Sequence, residues 1–170
     1  TLQRVFYHLY YNAFKPGSGL EAVSRNAYSD KRNMSKNLLS LDKDDWGDVK
    51  VLSLKQDGAL IAHTTKETIL EVALATPLLP GKSTTLDMSF FVKVPAVVRR
   101  AGKNNSDGVA FSMAQWYPKL CEYDDQGWHA NPYLGREFYG VWGDFDVTIN
   151  IDKDYTVAAS GYLQNPEKIG

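Results

Sequence analysis

A chain of 170 residues holds enough material for one well-buried core and too little for two comfortable domains. Its 19 basic and 20 acidic residues are spread along the sequence for a net charge of -1, so no broad cationic face is available to phosphates and nucleic acid is excluded as a natural partner. Apolar content of 44% is that of an ordinary folded protein, and no apolar run is long enough to span a membrane.

The chain opens Thr1-Leu2-Gln3-Arg4 with neither an initiator Met nor a signal-peptide pattern, and it reads as a piece of a longer protein truncated at both ends. Residues 3–14 are aromatic-rich on both faces, with Val5, Tyr7, Leu9 and Tyr11 opposite Phe6 and Tyr10, which predicts a strand in the middle of a covered sheet. After Pro16-Gly17, Ser18 and Glu21 have the spacing of a capping box and predict a short helix to about Tyr28. The polar stretch 29–45 then reads as a surface loop. Residues 49–55 and 60–63 flank Asp57-Gly58, a turn signal that favours a hairpin because both central positions need positive φ.

Residues 68–74 read as a strand, and Pro77, Pro80 and Gly81 mark the turn that follows. Leu86, Met88, Phe90, Val92 and Val94 alternate with polar residues, as do Phe145, Val147, Ile149 and Ile151 against Asp144, Asp146, Thr148 and Asn150. Both runs predict half-buried antiparallel strands. A flexible tip at 103–108 separates them, and a last strand is expected over 155–162. The sum is a single all-β domain, 1–170, built as a sandwich or a saddle-shaped antiparallel sheet.

The chemistry on offer is limited. His8, His63 and His129 lie far apart in sequence, so no H-E-x-x-H pair is present to hold zinc. His8, on a strand among aromatics, reads as a core histidine, and His63, near a hairpin end, as facing water. Cys121 is the only cysteine; with Glu122, Asp124 and Asp125 beside it, it reads as a packing residue and not a nucleophile. The acidic loop from Glu122 to Asp125 matches no calcium-loop spacing and reads as solvated. Asp144 and Asp146 share one strand face and read as its solvent side, which leaves little for an independent hydrolase using paired carboxylates. Trp116, Tyr117, Trp128, Tyr133, Tyr139 and Trp142 crowd one segment. They could form a stacking platform, and a stand-alone carbohydrate- or protein-binding sandwich is the alternative reading.

Two stretches carry a resemblance. Ala114-Gln115-Trp116-Tyr117-Pro118, then the acidic loop, then Trp142-Gly143-Asp144-Phe145-Asp146-Val147-Thr148-Ile149 follow one another in an order that resembles the non-catalytic amino-terminal β domain of the aminopeptidase N family of zinc metallopeptidases. That family shows T-Q-[FC]-E-P, a short acidic loop, and a strand reading roughly F-G-D-[FY]-x-V-x-I. The likeness covers the last third of the chain; the first two thirds share only a β pattern. It implies a saddle-shaped domain that packs on a catalytic domain of the same polypeptide. Zinc and the H-E-x-x-H and G-A-M-E-N motifs would belong to that further domain, and this chain alone would hold no cofactor. It also implies that Gln115 and Tyr117 line the S1 subsite beside the amino terminus of a peptide substrate. Tyr117 stands where the family has a Glu that attracts the substrate's ammonium, and a neutral phenol offers only a hydrogen bond or a cation-π contact. The likeness is to members that look exported or periplasmic, while the residues themselves leave the compartment open.

Overall fold

The computed structural model describes residues 1–26, 34–96 and 101–166. Its strands pair antiparallel, with few helices. Strand β1 (Leu2–His8) lies inside a four-stranded sheet. One neighbour is β5 (Ile69–Leu78), which in turn pairs with β4 (His63–Lys66). The other is the short β9 (Lys119–Leu120). A second sheet has β2 (Asp48–Gln56) between β3 (Ala59–Leu60) and β6 (Leu86–Lys93). Two-stranded ribbons are made by β7 (Gly102–Lys103) with β8 (Phe111–Ser112), and by β10 (Tyr123–Asp124) with β11 (Gly127–Trp128).

The central position expected for the first strand is found, but the strand stops at His8 and does not run to residue 14. Tyr10–Ala13 form a 3-10 turn whose residues are all buried. Here aromatics on both faces mark a segment turned into the core: the Tyr10 ring lies 4.9 Å from Phe14 and 4.8 Å from Tyr133. The hairpin at Asp57-Gly58 forms as expected, with φ of 48° and 88° at the two residues. Its second arm divides at Ile61-Ala62, where the chain leaves β2 and crosses to pair with β5 as β4. Strand β6 alternates as expected, with Leu86, Met88, Phe90 and Val92 packed against the core.

Helix α1 (Gly19–Asn26) begins at the expected cap, where the Glu21 amide donates to Ser18 Oγ at 3.2 Å. The end expected near Tyr28 lies outside the described residues, as does 29–33. The Glu21 side chain does not complete the capping box. It is buried, with Arg25 at 2.6 and 3.0 Å and the Ser35 hydroxyl at 2.7 Å, and these bonds hold its pKa down to about 2. Ser35 belongs to α2 (Met34–Leu39), which replaces part of the loop expected over 29–45. Met34 and Leu38, one helical turn apart, supply its buried stripe, and a six-residue helix is too short to show this as a period.

The two main sheets are joined by side-chain amides near both ends of β2. Asn12 Oδ1 accepts from the Val49 amide at 2.7 Å, and its Nδ2 donates to the Glu67 carbonyl at 3.0 Å. Gln56 Nε2 donates to the Thr76 carbonyl at 2.8 Å, and its Oε1 accepts from the Thr76 amide at 3.1 Å. Between them β2 and β4 splay apart around an open groove that holds the Lys15-Asp48 ion pair at 3.2 Å.

The expected strands at 144–151 and 155–162 are absent. Residues 129–166 hold no strand, and only an Asp152–Tyr155 turn, closed by a 3.1 Å bond, marks where the hairpin would bend. An alternating pattern encodes a face but not a partner, and a two-stranded hairpin alone is marginal in water.

Candidate functional site

The segment from Met113 to Pro118 links β8 to β9. Its far end is fixed by the ladder of β9, where Tyr7 pairs with Leu120 and His8 with Lys119. Its middle is anchored by Trp116, which packs against the core with its ring 6.1 Å from Phe90. Gln115 sits between these anchors with φ 56°. Left-handed backbone costs a side chain bearing Cβ about 1 kcal/mol, and here the flanking anchors impose it. Gln115 is half-buried, and among the described residues no hydrogen bond engages its amide.

Tyr117, two residues on, is flanked by two rings: Trp116 at 5.7 Å and Phe145 at 6.0 Å. Burial raises its phenol pKa, so it stays a neutral donor and acceptor at physiological pH. Phe145 is the member that sequence reasoning assigned to a strand face. No sequence signal pairs it with Tyr117, because the contact joins two segments without a ladder between them.

Opposite Lys119 in the β1–β9 ladder lies a buried histidine. His8 is 1% exposed, stacks on Phe138 at 4.2 Å, and among the described residues neither ring nitrogen has a hydrogen-bond partner. Burial, then the nearby Lys119 ammonium, lowers its pKa to about 4, so it is a neutral core residue as expected. His63 is exposed, again as expected. Cys121 is buried, and burial pushes its thiol up to about 12, which suits packing and not nucleophilic attack.

The acidic loop is more ordered than a solvated loop would be. It forms the β10–β11 ribbon, in which Asp124 accepts from the Gln126 amide at 2.9 Å and pairs with His129 at 2.7 Å. The bond from Gln126, then His129, hold the Asp124 pKa down against burial. Among the described residues no group of three or more His, Cys, Asp or Glu side chains is arranged to hold a metal ion. Asp144 and Asp146 are exposed.

The six crowded aromatics do not make one platform. Tyr133 is buried at 2% in the core, Trp116 and Trp128 are half-buried, and Trp142 alone stands almost fully in solvent at 96%. Among the described residues no helix is long and apolar enough to cross a membrane. No protein-family model, no curated protein and no solved structure matches this chain.

Proposed function

We propose that this domain is the non-catalytic amino-terminal domain of a zinc-dependent, aminopeptidase-like metallopeptidase. In this reading it packs as a saddle-shaped β domain on a catalytic domain of the same polypeptide, and Gln115 and Tyr117 form one wall of the substrate's S1 subsite. The resemblance in the 114–118 and 142–149 motifs suggests it. The observation that carries it is Gln115 itself: a side-chain amide with no hydrogen-bond partner among the described residues, on backbone held at φ 56° between two anchors. A carboxamide offers donor and acceptor to a peptide without a charge to desolvate. Tyr117, kept neutral beside it, adds a phenol where a carboxylate would select ammonium strictly.

The test is made in the polypeptide that joins this domain to its catalytic partner. Gln115→Ala should lower kcat/KM by about 5- to 150-fold, the equivalent of about 1–3 kcal/mol, with zinc content unchanged. Tyr117→Glu should raise the preference for a free over an acetylated peptide amino terminus, because the new charge distinguishes ammonium from amide. If neither substitution alters kcat/KM or this preference in a folded enzyme, the subsite assignment fails and Gln115 serves the fold alone.

A further inference from the structure

Strand β6 is the outer strand of its sheet. Its inner neighbour fixes which amides point outward. The Val49 amide turns away from β6 to reach Asn12, and Val49 pairs with Val92, so the Val92 backbone groups face the open side. By alternation so do those of Phe90, Met88 and Leu86, and among the described residues no backbone group bonds to them there. An eight-residue edge of this kind is a template for another strand.

The same chain carries a strand-like segment without a sheet. Phe145, Val147, Ile149 and Ile151 are 61, 64, 52 and 52% exposed, and among the described residues no backbone bond engages 144–151. We propose that residues 144–151 of one copy pair antiparallel with the β6 edge of a second copy, and reciprocally, in a closed two-fold dimer.

Pattern and charge select the register. Setting Phe145 opposite Val92 places Val147, Ile149 and Ile151 opposite Phe90, Met88 and Leu86, so the apolar row of β6 is continued without a break. It also places Asp144 opposite Lys93, and Asn150 opposite Asp87. A parallel arrangement with Phe145 opposite Leu86 sets Asp146 against Asp87 and loses stability by like-charge repulsion. Within its own chain the segment is held elsewhere, by Phe145 against Tyr117 and by Tyr155 against Phe111 at 6.1 Å. One donor and one acceptor per chain close by two-fold symmetry.

Sedimentation over a wide range of concentration should show a monomer–dimer equilibrium, with slowed amide exchange in both β6 and 144–151 in the dimer. Val147→Pro removes an amide from a segment that makes no backbone bonds among the described residues, so it should weaken dimerisation by about tenfold or more while the monomer fold stays intact. Lys93→Glu and Asp144→Lys should each weaken it, and the double exchange should restore it. Should Lys93→Glu fail to fold, the Val147→Pro and Asp144→Lys variants still decide. The proposal is overturned by a monomer at all concentrations, whether or not β6 is protected. Open-ended polymers, or a dimer indifferent to these substitutions, overturn it equally.

Discussion

Asn12 shows how much one side chain carries. It is 6% exposed and satisfies two backbone groups, the Val49 amide in β2 and the Glu67 carbonyl in the turn between β4 and β5. Asn12→Ala would leave both without partners, at a cost of about 2–6 kcal/mol, since each buried group left unpaired costs about 1–3 kcal/mol. Urea denaturation followed by fluorescence measures this. A loss under about 1 kcal/mol would mean that the two groups find other partners. No residue pattern announces this role, because the sequence around Asn12 reads as a strand. Gln115 and Tyr117, by contrast, were legible as candidates from their motif, whereas the positive φ at Gln115 and the ring of Phe145 against Tyr117 were not.

At the scale of elements, the parts that could be read were those whose signal is local. The Asp57-Gly58 turn needs only two adjacent residues with positive φ, and the β6 alternation needs only its own side chains. Gly58, at φ 88° with open space around the position of a Cβ, gives this a direct check. Gly58→Ala should destabilise by about 1 kcal/mol through backbone strain alone, readable as a lowered Tm. An unchanged Tm would show that the turn relaxes to another type. What could not be read depends on partners distant in sequence. The strand from residue 3 was right in place and wrong in length, because Tyr10–Ala13 turn inward to meet Tyr133. Helix α2 was hidden by its length. Residues 144–151 have the right pattern for a strand, and among the described residues no strand pairs with them.

For the molecule as a whole, two buried groups with large shifts, His8 and Glu21, contribute to the response to acid in separate windows. His8 has its pKa lowered from 6.5 to about 4, so the folded state resists a proton that the unfolded chain accepts. Its contribution is complete above pH 6.5 and is lost as pH falls towards 4, amounting to about 3 kcal/mol at about 1.4 kcal/mol per pKa unit, most of it from burial of the ring. Glu21, lowered from 4.5 to about 2, acts in the next window: its contribution is present above pH 4.5 and lost as pH falls through 2. Stability measured against pH should therefore fall in two stages, and His8→Phe should flatten the first while leaving the second. A profile level between pH 6.5 and 4.5 in the unsubstituted chain would show that the His8 ring is solvated.

The amides of Asn12 and Gln56 that span the sheets have a genetic consequence. A ladder of backbone bonds survives almost any codon change, because every residue brings the same peptide group. A join made by side chains does not. The side-chain part of the join between the two main sheets is thus written at two codons, and drift at either loosens it while every backbone ladder keeps its pairing.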